Sequence, residues 1–282
     1  MVNANVASAL FYNMSNLTKR ILSALVLIPI SLAFILFAPN WLFSLFVVVV
    51  SLFVGFEYGT IALAPAFRSY RMLVSILAGV LTAALAFSSF FPLAPVIALV
   101  VIVMGCPVLL MFGRSEFSQS VLASASCISG SLYSGLLTGF LALLFVSHND
   151  GSFWVLTLFF AAVLSDTGAY FVGRAFGRRK FSPRISPGKT WAGAYGGLLG
   201  TFAAITISKL FFLSQLSWLD VIFLSVPLCV FLQLGDLAES FLKRGFGVKD
   251  SSNIIPGHGG VLDRLDAMLF GAPVVFFFSM LK

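Results

Sequence analysis

ILSALVLIPISLAFILFAPNWLFSLFVVVVSLFVGF, residues 21–56, runs for 36 positions without a charged side chain. Hydrocarbon about 30 Å thick is crossed by roughly 20 apolar residues in a helix. The stretch therefore reads as two spans, 21–38 and 41–56, turning at Pro39 and Asn40. Working outward, further apolar segments lie between charges and Pro, Gly, Asn or Ser clusters at 72–90, 94–113, 119–147, 152–173, 191–214, 217–242 and 261–281. The spacing predicts an all-α, polytopic integral membrane protein with about nine transmembrane helices, the fifth tilted or broken near Gly130. Composition agrees: 60% of the 282 residues are hydrophobic and 10% charged, and the mean hydropathy is +1.05. A water-covered domain carries about 25% charge. Soluble enzymes, DNA-binding modules and disulfide scaffolds are excluded.

The net charge of +7 follows from topology rather than from a nucleic-acid partner. With a cytoplasmic N-terminus, 15 of the 17 Lys and Arg residues fall on one side, including the six from Arg174 to Lys189; the opposite threading reverses the positive-inside bias. That basic face also suits anionic lipid or a polyphosphate. Cys106, Cys127 and Cys229 sit within apolar runs without CxxC spacing and read as small packing residues. No cleavable-signal pattern precedes the first span, which is expected to be an anchor, and residues 1–13 are expected to be dispensable.

The halves differ in kind. Residues 1–147 contain two acidic residues, Glu57 and Glu116, whereas 148–282 contain eight. This predicts lipid-contacting helices in 1–147 and a catalytic membrane region in 148–282. No internal repeat is visible, which argues against an inverted-repeat transporter.

Three polar clusters carry the chemistry. In LSDTGAYFVGRAFGRRK (164–180), Asp166 lies within an apolar segment, where a carboxylate costs roughly 2.5 to 3.5 kcal/mol on insertion scales and needs a partner. Tyr170 and Arg174 share its helical face. Asp166 is either a buried residue hydrogen-bonded to neighbouring helices or a ligand or metal-site residue. RRKFSPRISPGKTWAGAYGG (178–197) reads as a basic loop entering a helix near Thr190. Lys189 precedes that helix, whose free N–H groups would add to its attraction for phosphate; a solvated inside loop explains the same charges. Gly193 with Gly197, and Gly196 with Gly200, form overlapping GxxxG patterns that predict close helix packing and leave a homodimer open.

GDLAESFLKRGFGVKDSSNIIPGHGGVLDRLD (235–266) is the densest cluster. Asp236, Glu239 or Ser240, and Lys243 form one stripe on the eighth helix. Asp263 and Asp266 repeat that spacing at the start of the ninth, so two helices bring carboxylates together. Oxygen ligands of this type suit Mg²⁺ better than zinc. Lys243, Arg244, Lys249 and Arg264 could instead neutralise the carboxylates without metal. His258 either contacts a phosphate or fixes its loop, and His148, in an outer HND turn, is expected to be solvated.

Residues 240–266 resemble, nearly position for position, the signature of bacterial phosphatidate cytidylyltransferases (CDP-diacylglycerol synthases). GDLAES, SDTGAYFVGRAFGRRK, ISPGKTWAG and TKRILSALVLIPI (18–30) extend the similarity over most of the chain. The resemblance implies a Mg²⁺-dependent reaction of CTP with phosphatidic acid at the cytoplasmic face of the inner membrane, yielding CDP-diacylglycerol and pyrophosphate. It implies a divalent ion on Asp236 and Asp263, with K⁺ as a second cation, and it matches Asp266 and Lys189 to family positions. The expected metal ligands are Asp236, Asp263 and Asp266. The expected catalytic group is Asp236, Asp263, Lys189, Lys243 and Arg264, and Asp166, Ser240, Arg244, Lys249 and His258 join Lys189, Lys243 and Arg264 in contacting substrate. Ala192 stands where the family pattern usually has Glu, which leaves Asp166 or Glu239 as a substitute. A secondary transporter would carry polar residues in both halves, and the DGxxAR pattern of CDP-alcohol phosphotransferases is absent.

Overall fold

In the computed structural model, residue 25 and residues 29–282 are described, except 114, 253 and 255–258. Helix α1 is seen over residues 29–37. It is followed by α2 (Asn40–Ala62), a 3₁₀ turn (Pro65–Tyr70), α3 (Arg71–Ala86), α4 (Ala94–Met111), α5 (Phe117–Val146) and α6 (Gly151–Phe176). A two-stranded hairpin, β1 (Lys180–Ser182) and β2 (Ser186–Thr190), leads to α7 (Trp191–Phe211), α8 (Trp218–Gly245) and α9 (Leu262–Ser279).

Seven of these segments are long and apolar enough to cross a membrane: α2, the 3₁₀ turn with α3, and α4 to α8. Of the two other expected spans, the first is described only at residue 25 and from residue 29 onward, and α9 places Asp263, Arg264 and Asp266 in its first turn and a half. Large apolar side chains such as Phe53, Val101, Leu199 and Phe223 are exposed along the helices, as a lipid-solvated surface requires.

The bundle is joined by small and hydroxylic residues, since apolar side chains gain little from leaving lipid for protein. Thr82 on α3 bonds Ser51 Oγ of α2 at 2.8 Å and, on α5, the Gly135 carbonyl at 2.9 Å and Thr138 Oγ1 at 2.8 Å. Helix α5 continues unbroken for 30 residues, about 45 Å at 1.5 Å per residue. Of the two alternatives, tilted or broken near Gly130, the break does not occur; a Cβ there would lie 2.5 Å from the Tyr58 ring of α2, so the glycine admits that ring. One apolar core runs through both halves, joining Phe43, Val47 and Ala86 to Trp154, Leu158, Leu228 and Val275.

At one end of the bundle, α8 starts in a capping box: Asp220 N–H donates to Ser217 Oγ at 3.2 Å and Ser217 N–H to Asp220 Oδ2 at 2.8 Å. Lys282 pairs with Asp220 at 2.6 Å. His148, expected in solvent, lies here half-buried with Nε2 3.0 Å from Ser279 Oγ. The basic stretch expected as a loop is the antiparallel β1–β2 hairpin, with Lys180 opposite Thr190, the one departure from an all-α chain among the described residues.

The GxxxG face of α7 packs within the chain. Both Gly196 and Gly200 meet backbone of α6, at Gly168 and Leu164, without room for a side chain. The stripe that left a homodimer open is therefore occupied by α6.

Candidate active site

Helices α6, α7 and α8 and the hairpin enclose a cavity of about 390 Å³. Asp166, Tyr170 and Arg174, expected on one face of α6, all line it. Asp166 is exposed to it rather than buried, and Arg174 Nη1 donates to Tyr170 Oη at 2.9 Å. The hairpin adds Lys180 and Lys189. Lys189 sits on β2, with Thr190 as the N-cap of α7: Thr190 Oγ1 accepts from Gly193 N–H at 3.1 Å. Asp236 and Gln233 of α8 complete the wall. Lys189 Nζ pairs with Asp236 Oδ2 at 2.6 Å and donates to the Gln233 carbonyl at 3.4 Å. Gln233 Nε2 in turn donates to the Ala194 carbonyl at 3.1 Å, tying α8 to α7 beside the lysine.

Gly235 is what lets α8 approach α9. A Cβ there would fall 3.1 Å from Ala267 Cα and clash with the Asp266 carbonyl. With the helices this close, the charges of Asp236, Asp266 and Asp166 act on one another across three helices. Arg264, exposed on α9, adds a positive charge felt at Asp166. Ser240 Oγ reaches Asp236 Oδ1 at 3.4 Å, continuing the stripe expected on α8.

Asp263 occupies a different setting. Its Oδ1 accepts from Lys243 Nζ at 2.6 Å, and its Oδ2 from Ser251 N–H at 3.0 Å, Ser251 Oγ at 3.0 Å and Gly260 N–H at 2.8 Å. Lys243 also pairs with Glu239 Oε2 at 2.7 Å. The ion-paired alternative thus describes Asp263, Lys243 and Glu239, whereas the other oxygen of Glu239, Oε1, is buried without a hydrogen-bond partner. Arg244 and Lys249 are exposed and do not line the cavity. His258 lies outside the described residues.

Among the described residues, no three His, Cys, Asp or Glu side chains already converge as a metal cage. Mg²⁺ needs none: it is usually held by one or two carboxylates together with substrate phosphates. The all-oxygen set of Asp166, Asp236 and Asp266, with the orphaned Glu239 Oε1 nearby, fits that habit. Asp263 fits it less well, because a metal would have to displace Lys243 or the loop N–H groups.

The sequence reading missed Glu57. It is fully buried on α2 and accepts from Ser252 Oγ at 2.6 Å, Ser251 Oγ at 3.0 Å, Val261 N–H at 3.0 Å and Leu262 N–H at 2.8 Å. The signal was available: a lone carboxylate in an apolar span marks a functional position by default.

Beside the polar cavity runs an apolar groove of about 320 Å³ between α7 and α8, lined by Trp191, Leu198, Val226 and Val230 among others. Phe181, Ala194 and Gln233 line both.

The chain is similar in sequence to several proteins of known name. The phosphatidate cytidylyltransferase of Bacillus subtilis (strain 168) is 46% identical over 123 residues, 43% of this chain and 46% of that protein. That of Haemophilus influenzae is 46% identical over 132 residues, 45% of this chain and 46% of its own. In both, the similarity spans about half the relative's length. The phosphatidate cytidylyltransferase of Brucella suis biovar 1 is 33% identical over 269 residues, 94% of each chain. A model of the Cytidylyltransferase family matches residues 18–281, which takes in α2, the hairpin and every carboxylate of the site, and the chain accordingly belongs to that family.

Proposed function

We propose that the protein transfers the cytidylyl group of CTP to phosphatidic acid, releasing CDP-diacylglycerol and pyrophosphate for phospholipid synthesis. The observation that carries this reading is the pairing of two adjoining spaces. One is rimmed by Arg174, Lys180 and Lys189 facing Asp166 and Asp236; the other is an apolar groove opening through the same Phe181, Ala194 and Gln233. A polyanionic nucleotide and an acyl-bearing phosphate can thereby meet without either leaving its preferred solvent.

In the reaction, a phosphate oxygen of phosphatidic acid attacks the α-phosphorus of CTP, and the bond from that phosphorus to the bridging oxygen of pyrophosphate breaks. The attacking group is an anion near neutral pH, since the second ionisation of a phosphate monoester lies near pH 6. No strong general base is required, and positioning with charge neutralisation carries the rate. Lys189, Arg174 and Lys180 neutralise triphosphate oxygens. Asp236 holds Lys189 at the cavity edge before substrate enters. Lys243 and Asp263 hold Ser251 and Gly260 beside α8, and Arg264 adds positive charge near Asp166. Asp236 and Asp266, with Asp166 as one of the two candidate substitutes for the missing family carboxylate, would hold Mg²⁺. When bound, Mg²⁺ supplies charge stabilisation on the transferring phosphoryl group. A monovalent cation such as K⁺ would have the buried Glu239 Oε1 available.

The same reading extends to nine spans, an N-terminus in the cytoplasm and a site at the cytoplasmic face of the inner membrane. This is supported by the 15 basic residues that one threading collects on that side. Purified protein given labelled CTP, phosphatidic acid and Mg²⁺ should move label into chloroform-soluble lipid. Failure to do so, or equal label transfer with diacylglycerol in place of phosphatidic acid, would overturn the assignment.

A further inference from the structure

We propose that Glu57, a carboxylate within the apolar helix α2, is a positioning residue that sets Asp263 and Asp266 by holding Ser251, Ser252 and the start of α9; this rests on the reaction assigned above. Its two oxygens lie within hydrogen-bond reach of four donor groups, Oε1 of Ser252 Oγ at 2.6 Å and Val261 N–H at 3.0 Å, Oε2 of Leu262 N–H at 2.8 Å and of Ser251 Oγ at 3.0 Å, whose one proton is shared with Asp263. No exposed surface remains on the residue. A buried carboxylate is tolerated only when its lone pairs are filled, and here every donor comes from one segment 194 to 205 residues away in sequence.

The segment is shaped around that carboxylate. Gly260 has no side chain because a Cβ would sit 2.5 and 2.6 Å from the two Glu57 oxygens. Gly259 before it has φ +83°, a conformation open mainly to glycine. Ser251 lies between two carboxylates: its Oγ is 3.0 Å from Glu57 Oε2 and 3.0 Å from Asp263 Oδ2, while its N–H goes to Asp263 at 3.0 Å. A hydroxyl has a single proton to give, so its donation to one carboxylate depends on where the other stands. From Asp263 the chain passes to Lys243 at 2.6 Å and on to Glu239 at 2.7 Å. One turn along α9 from Asp263 is Asp266, whose charge and that of Asp236 act on one another. Moving Glu57 would therefore move the start of α9, and with it Asp266 of the proposed metal set. None of the partners of Glu57 lines the cavity assigned to CTP, so nucleotide affinity should be spared while turnover is lost.

Glutamine is the informative replacement, because its amide group would bring donors toward donors. In detergent-purified full-length protein, Glu57→Gln should lower kcat at least thirtyfold and leave KM for CTP within threefold. Glu57→Asp, which restores the charge with a shorter reach, should recover at least threefold of that loss. Amide hydrogen exchange supplies a readout independent of activity: exchange at Val261 and Leu262 should quicken at least tenfold in Glu57→Gln, with α6 unchanged. Should Glu57→Gln not fold, Ser252→Ala, which deletes the shortest of the four contacts, is read by the same measurements with a three- to tenfold loss of kcat expected. The proposal is overturned if exchange at 260–262 is unchanged, if kcat stays within threefold, or if KM for CTP rises while kcat holds. If the wild-type protein makes no CDP-diacylglycerol, the reaction assignment falls, and the exchange data alone still decide whether Glu57 holds the segment.

Discussion

Replacing Lys189 with alanine separates a nucleotide-binding lysine from one that merely marks the cytoplasmic side. Lys189 and Asp236 retain 25% and 36% side-chain exposure, so their ion pair contributes only about 0.2 to 1 kcal/mol to stability, and Lys189→Ala should insert and fold. A charge-assisted contact to a triphosphate oxygen is worth about 1.5 to 3 kcal/mol. At 1.4 kcal/mol per tenfold, its loss should raise KM for CTP by about 10- to 150-fold. The apolar groove is not lined by Lys189, so KM for phosphatidic acid should change less than about threefold, within the standing uncertainty of such contributions. The salt dependence of KM for CTP should also steepen, since Arg174, exposed on the cavity rim, is more readily screened. The assay is initial-rate incorporation of labelled CTP in mixed micelles, with each substrate titrated at saturation of the other. Equal increases in both KM values, or none in either, would remove Lys189 from the nucleotide site.

Asp263→Asn strips a carboxylate from Lys243, Ser251 and Gly260 at once. Turnover should fall more than about tenfold, roughly 1.4 kcal/mol of barrier, together with a lower melting temperature; normal values of both would contradict the role of Asp263 as the holder of its loop. Chelation of divalent ions with EDTA should abolish transfer, and Asp236→Asn should raise the Mg²⁺ concentration needed for half-maximal rate at least tenfold; full activity in EDTA would sink the metal assignment. Gly196→Leu should yield no folded protein, because even a Cβ would lie 2.6 Å from Val172 Cβ and overlap the Gly168 carbonyl. Gly245→Ala, with open space around it, should accumulate normally, and similar yields for the two would refute the packing argument.

The helical architecture was legible because lipid leaves few choices. Apolar runs bounded by charge place α2 to α8 within several residues of their observed limits. The hairpin was not legible: RKFSPRISPGKT has two prolines and no alternating apolar pattern, and its pairing is local backbone geometry rather than buried side-chain periodicity. In the cavity, the stripe on α8 contributes Asp236 while Lys243 and Asp266 do not line it, and helical periodicity put Asp166, Tyr170 and Arg174 on one wall. Glu57 escaped because its partners are about 200 residues away, two of them backbone N–H groups and two serine hydroxyls in a loop, none of which marks the apolar span that carries it. The same reason hides the saturation of Asp263, whose donors include Ser251 N–H and Gly260 N–H.

The glycine seam between α6 and α7 also bears on how the cavity can change shape. Where Gly168 and Gly196 meet, backbone lies against backbone with no side chain to re-rotamerise, so the two helices behave there as a single slab. Asp166 and Arg174 are mounted on one sheet of it and Ala194 on the other, with spacing fixed to within what backbone contact allows. The hairpin, held by a short two-stranded ladder and joined to α8 through Lys189, and α8, leaning on the slab through Gln233, are left as the adjustable walls. Accommodation of a bulky nucleotide, and any coupling between its arrival and that of lipid in the adjoining groove, must then be expressed as motion of Phe181, Lys189 and Gln233 against a rigid floor.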